Sequence, residues 1–362
     1  MNRVHSSYSE DDVEVLLKDI TGKIYGTSTA ERERLIQGGA HYCEMLPIEY
    51  APSKEYCSLY EEALEKYSRE TAEAVAVVSE RVLRERGNNV VLVSLARAGT
   101  PIGILMKRYI KNKYGLDIKH YTVSIIRGKG IDRNAMNYIL NRHDASNIQF
   151  VDGWTGKGAI LKTLQAEISK FTGVSKELAV LADPANICKL CGTHEDFLIP
   201  SSCLNSTVTG LMSRTVLRSD LIDEEAGDFH GAVYYSELAD HDVSMQFIDK
   251  IESCLKDLDD NKIMDKAYAS DAEDSLTGMD EVVRIKEREG VHDINYVKPG
   301  IGETTRVLLR RVPWRVLVKD RTDTSRIGHI LRLAEEKGVE VIEDKSLVRY
   351  NCIGIIKDLA DA

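Results

Sequence analysis

What this chain lacks narrows it first. No apolar run approaches the ~20 residues that a membrane-spanning helix needs, so no membrane partner is expected. The opening Met1-Asn2-Arg3-Val4-His5-Ser6 leads into acidic residues, not an apolar stretch, so no secretory signal is expected. Cysteine is sparse and odd in number: seven, at 43, 57, 188, 191, 203, 254 and 352. Scattered over 362 residues, these read as reduced thiols of a cytoplasmic protein and exclude a disulfide framework. Internal repeats and low-complexity tracts are also missing.

What is present is ordinary globular material, 43% hydrophobic and 29% charged, in a length that calls for two or three domains. The net charge is −10, yet residues 284–362 hold 16 Lys/Arg against 13 Asp/Glu. A mildly basic tail on an acidic body suits a polyanion partner for the tail, or is scatter.

Residues 1–87 read mostly as helix, with Ser9-Glu10-Asp11-Asp12 capping a first one and a longer one over 58–86. From 90 the period changes. Strands at 90–95, 119–126, 148–152 and 178–182 alternate with helices at 101–113, 134–140 and 159–171. That alternation predicts an open, mainly parallel α/β sheet. Ligands on such sheets bind beyond the carboxyl ends of the strands, which selects the loops 96–100, 127–132 and 153–158. Residues 246–283 read as a helical, then polar, connector. A second α/β unit spans 284–362, with helices at 304–311 and 324–337, strands at 315–319 and 340–342, and a closing helix from 347. The first domain is then 1–245, its helical extension 1–87.

The segment Asp152-Gly153-Trp154-Thr155-Gly156-Lys157-Gly158 is the most informative. A strand ending in a carboxylate, a glycine-rich loop and a helix start together make an anion site. Asp152 is placed for ribose hydroxyls or a water-bridged magnesium ion. The spacing is not that of a Walker A loop, because Gly153 stands only two residues from Gly156-Lys157. Packing alone also produces such turns.

This segment resembles the ribose-phosphate loop of type I phosphoribosyltransferases, with Gly153 where the second acidic residue would stand. Arg97-Ala98-Gly99-Thr100 resembles their pyrophosphate loop, and Arg127 with Lys129 sits where they carry a cationic flap. The resemblance implies phosphoribosyl diphosphate as ligand, magnesium as cofactor and pentosyl transfer as activity. Asp152, Arg97, Arg127 and Lys129 would be catalytic. Ala98, Gly99, Thr100 and the loop 153–158 would be substrate-binding. Asp183, Ser202, Cys203 and Asn205 would be acceptor-side candidates.

Two longer motifs are more specific. Gln37-Gly38-Gly39-Ala40-His41-Tyr42-Cys43-Glu44-Met45-Leu46-Pro47 and the run from Asp196 to Thr215 resemble the bacterial StiP-type family of tellurite-resistance stress operons. That resemblance implies a phosphoribosyltransferase-like domain making or processing a nucleoside-like metabolite, joined to a Pelota-type RNA-binding domain. The family also carries a cysteine-protease label, for which Cys203 would be the nucleophile and His41 or His230 its base. Recognition of an acceptor by the Cys203 loop is the favoured alternative. A non-catalytic ligand sensor bound to RNA is a further one. Cys188, Cys191 and His194 have zinc-like spacing but show only three ligands. Gly300, Gly302, Glu303, Arg306 and Arg310 resemble the RNA-contacting loop and helix of the Pelota family, or form a solvated basic face. A monomer and a homodimer both fit the sequence.

Overall fold

The computed structural model describes residues 2–269 and 276–357; the polar stretch expected as part of the connector, 270–275, lies outside them. Its centre is a six-stranded sheet. In chain order the strands are β1 (Glu14–Val15), β2 (Val91–Leu95), β3 (Lys119–Val123), β6 (Ile148–Trp154), β7 (Leu178–Ala182) and β8 (Leu190–Thr193). They lie in the order β1-β3-β2-β6-β7-β8, every neighbouring pair parallel. A small antiparallel hairpin, β4 (Ile125–Ile126) with β5 (Gly130–Ile131), projects after β3.

The alternation of side chains along β2 explains the layers. Leu92 faces the long α2 (Lys54–Arg86) and α3 (Gly99–Tyr114). Val91, Val93 and Leu95 face the opposite layer, α4 (Arg133–Leu140) and α5 (Ala159–Ile168). Burial on both faces is why the run carries no polar alternation beyond Ser94, whose hydroxyl bonds the Gly99 carbonyl and His120. Helices α6 (Ser244–Leu255) and α7 (Asp260–Tyr268) cover α2.

The C-terminal α/β domain holds α8 (Gly278–Arg288), β9 (Val297–Pro299), α9 (Ile301–Arg310), β10 (Pro313–Val318), α10 (Thr324–Glu336), β11 (Glu340–Glu343) and β12 (Cys352–Ile356). Its sheet runs β9-β12-β10-β11, with β12 antiparallel to both neighbours.

Two sequence expectations fail. Residues 9–12 form a turn, and Glu14–Val15 joins the sheet edge instead of opening a helix; within 1–53 the one α-helix described is α1 (Thr29–Gln37). The capping signal was real but serves a turn, Ser9 accepting from the Asp11 amide. The closing helix is replaced by β12, because Cys352, Ile353 and Ile355 fill the space between two waiting strands.

Candidate active-site cleft

The strand tips β2, β6 and β7 and the hairpin form one wall of a cleft, and α9 of the C-terminal domain forms the other. Three cavities open along it. One of about 340 Å³ is lined by Asp152, the loop 154–158, Arg127, Lys298 and Glu303. Two more, about 280 and 370 Å³, share Arg97, Arg214, Arg306 and Asn205. A larger hollow of about 710 Å³ sits at the amino ends of the strands, around Asn88, Asp117 and Arg142; it has no thiol in its wall.

The glycine-rich loop is where it was expected, but its Thr155 and Lys157 side chains and its Gly156 carbonyl are already engaged. Thr155 donates to Asp183. Gly156 accepts from the Tyr350 hydroxyl at 2.8 Å, and Lys157 Nζ donates to the carbonyls of Ile294 and Val297 at 2.7 and 3.0 Å. Gly158 takes a left-handed φ of 78° to start α5. Asp152 accepts only the Gly153 amide, at 2.8 Å, and burial pushes its carboxyl up to about 7. Magnesium prefers a charged, oxygen-rich shell. One or two ionised carboxylates hold it beside substrate oxygens, and here the lone Asp152, kept protonated by burial up to about pH 7, is a poor anchor for it.

The Arg97 loop is likewise spent on packing. A Cβ on Gly99 would meet the Val151 carbonyl at 2.4 Å, and the Thr100 hydroxyl accepts from Thr122 at 3.0 Å. Ala98 lines the cavity beside Asp152. Arg97 Nη1 donates to the Met212 carbonyl at 3.1 Å, and burial lowers its pKa, with Arg306 and Arg310 acting in the same direction.

The five residues expected to meet RNA face the first domain. A Cβ on Gly300 would lie 3.1 Å from Asp196 Oδ1, and one on Gly302 would lie 3.3 Å from Ser202 Oγ. Glu303 pairs with Arg306, whose Nε donates to the Ser202 carbonyl at 3.1 Å while its guanidinium lies over Trp154. Arg310 donates to Asn205 Oδ1 at 2.7 Å and to the Cys203 carbonyl at 3.2 Å.

Cys203 is therefore a packed thiol. It is 2% exposed beside Tyr60, and burial pushes its pKa up to about 12. Neither proposed base serves it: His230 Nδ1 is 2.8 Å from Ser124 Oγ, and His41 attends another sulfur.

That sulfur is Cys43. His41 caps a short 3-10 turn (Tyr42–Glu44), accepting the Cys43 amide on Nδ1 at 3.4 Å. The same Nδ1 lies 3.0 Å from Cys43 Sγ. An Nδ1 that accepts an amide proton carries its lone pair there, which places the ring proton on Nε2 and offers the thiol two acceptors, this nitrogen and the Leu217 carbonyl at 3.6 Å. Arg214 fixes this turn by donating to the carbonyls of Tyr42 and Met45 at 2.6 and 2.9 Å. The Tyr42 hydroxyl accepts the Arg127 amide at 2.8 Å, latching the hairpin over the pair. Burial raises the Cys43 pKa, while the charge of Lys129 on that hairpin lowers it. The motif 37–47 carried this signal in the sequence, since a His two residues before a Cys can cap the turn that presents it.

Residues 6–252 match the family described as "Tellurite-like stress resistance cysteine protease StiP", so the chain belongs to that family. Residues 276–358 match the PELOTA RNA binding domain. A full-length relative is "Cysteine protease StiP" of Acinetobacter baylyi (strain ATCC 33305 / BD413 / ADP1), 35% identical over 367 residues, which covers 98% of this chain and 94% of that one. These matches overturn the expectation of a pentosyl-transfer enzyme with phosphoribosyl diphosphate as its ligand. The tethered Thr155 and Lys157 give the physical side of that correction. No helix among the described residues is long and apolar enough to cross a membrane.

Proposed function

We propose that this protein is a cysteine peptidase whose nucleophile is Cys43 and whose general base is His41. The carrying observation is the 3.0 Å contact between Cys43 Sγ and His41 Nδ1 at the edge of the cleft. Two thiol–imidazole contacts occur among the described residues. The other, Cys191 with His194, puts its sulfur inside a core strand under the Arg81 guanidinium, whereas Tyr42, between His41 and Cys43, lines one of the cleft cavities.

In this reading His41 takes the thiol proton and the sulfur attacks the scissile carbonyl. The imidazolium then returns the proton to the departing amine, leaving an acyl-thioester that water hydrolyses. Lys129 and Arg127 favour the thiolate and the charge that develops on the carbonyl oxygen. Because Cys43 is fully buried, the 125–131 hairpin must lift for a polypeptide to enter. The sheet order and the tip loops support reading the scaffold as phosphoribosyltransferase-like, turned to thiol chemistry.

The test pairs labelling with turnover. Limited iodoacetamide treatment followed by peptide mapping should modify Cys43 first, and Cys43→Ala should abolish hydrolysis of fluorescein-labelled casein. Retained hydrolysis in a folded Cys43→Ala, or first labelling at Cys203 or Cys191, defeats the assignment.

A further inference from the structure

Strands β7 and β8 end side by side, and three donors of different chemistry converge there. Asp183 follows β7, Cys191 lies within β8, and His194 follows it. One ligand atom from each falls within 4.8 Å of the others. Cys191 Sγ stands 3.4 Å from His194 Nε2. Metal bonds of about 2.3 Å to sulfur and 2.0–2.1 Å to nitrogen at a tetrahedral angle separate the two atoms by roughly 3.5 Å, so little movement is needed.

The surroundings are those of a ligand set. His194 Nδ1 lies 2.9 Å from the Asp183 carbonyl and 3.7 Å from Asp183 Oδ2. A proton donated there leaves the Nε2 lone pair on the sulfur side, the arrangement by which proteins orient a ligating imidazole. Asp183 Oδ2 accepts the Ile187 and Cys188 amides, each at 2.8 Å, and Oδ1 accepts Thr155. Those bonds hold the carboxylate still. Arg81 Nη1, 3.7 Å from Cys191 Sγ, favours the thiolate. The His194 side chain is 32% exposed, which gives an ion a way in to an otherwise buried site.

We propose that Asp183, Cys191 and His194 bind one zinc ion, with water as the fourth ligand. Thiolate plus imidazole selects zinc over magnesium or calcium, and the two anionic ligands balance the dication. Cys188, the partner suggested by sequence spacing, is excluded from the set; its amide serves Asp183 instead. The ion would tie β7 to the exit of β8, two residues before Asp196. That carboxylate accepts the Ile301 and Asn351 amides of the C-terminal domain, each at 2.9 Å. The site is thus a staple behind the domain joint, separate from the Cys43 cleft.

The full chain, stripped with chelator, reloaded with zinc and desalted, should hold one zinc per chain by elemental analysis. Cobalt substitution should give a thiolate-to-cobalt charge-transfer band. Cys191→Ser and His194→Gln should each lose the band and at least tenfold in zinc affinity, while Cys188→Ser and Cys43→Ala keep both. If Cys191→Ser does not fold, His194→Gln decides alone, since its side chain reaches the surface. No zinc retained by the wild type, unchanged binding in His194→Gln, or a band lost with Cys188 and kept with Cys191 would overturn the site. Zinc retention in Cys43→Ala separates this result from the fate of the peptidase reading.

Discussion

Cys43 and Cys203 lie beside the same cleft, both essentially without solvent exposure, yet they are opposite kinds of thiol. Cys203 is surrounded by apolar neighbours and α9, and burial leaves it protonated up to about pH 12. Burial raises the Cys43 pKa as well, but this thiol also meets an imidazole at 3.0 Å and the field of Lys129. Burial alone makes a core residue; burial against a base that can take its proton makes a nucleophile. The polar Ser/Asn/Thr character of the loop 201–209 directed the sequence reading to Cys203, while the thiol–imidazole contact directs the proposal to Cys43. The side chains of Ser202, Asn205, Ser206 and Thr209 engage nearby backbone, Arg310 or Glu49, not a reacting group.

The comparison breaks most sharply on the sulfurs themselves. Cys43→Ala should lower casein hydrolysis by about 10³-fold or more, and Cys203→Ala should leave it within about threefold while costing roughly 2 kcal/mol in urea unfolding. The reverse ranking would exchange the two roles. His41→Ala should cost on the order of 10²–10³-fold in kcat at neutral pH, with the melting temperature little changed. Arg214→Met tests positioning: it removes the single Nη2 that donates to both carbonyls, so a roughly tenfold loss is expected, read as slower iodoacetamide labelling of Cys43 as well as slower turnover.

Asp152 sharpens the contrast from the other side of the cleft. Its carboxyl is raised to about 7 in the folded chain, so the native state holds a proton that the unfolded state has released above about pH 4. Its contribution is complete below that pH and is lost as pH rises through about 7. Asp152→Asn should therefore stabilise the protein by on the order of 1–2 kcal/mol at pH 8, after allowance for partial solvent contact, and by nothing at pH 4. Equal stabilisation at both pH values would refute a buried neutral acid. The smallest effect belongs to the latch: Tyr42→Phe removes the bond to the Arg127 amide and should raise hydrolysis about two- to fivefold by freeing the hairpin.

The parallel sheet was legible because β7 is a continuous apolar run and β2 is broken only by Ser94, and strand 178–182 falls at its expected bounds. The two-residue β1 was not legible. Its place depends on a distant edge at Tyr121 and Thr122, which no local pattern reveals. The glycine loop was found at the strand tips, but its occupancy by Tyr350 and Ile294 could not be read across nearly 200 and 140 positions of chain. The thiol site was within reach, since His41 and Cys43 stand two residues apart. Only the cap geometry shows that the imidazole turns back onto the sulfur.

The Tyr350 and Lys157 bonds also bear on how the molecule can be divided. The wall of the cleft at 154–158 borrows its props from residues that come more than a hundred positions later. A truncation ending before α8 would leave Lys157 facing solvent and the Gly156 carbonyl without its phenol, and the loop would relax into whatever arrangement water favours. Fragment screens and assays on the amino-terminal half would then report on a surface the whole protein never displays.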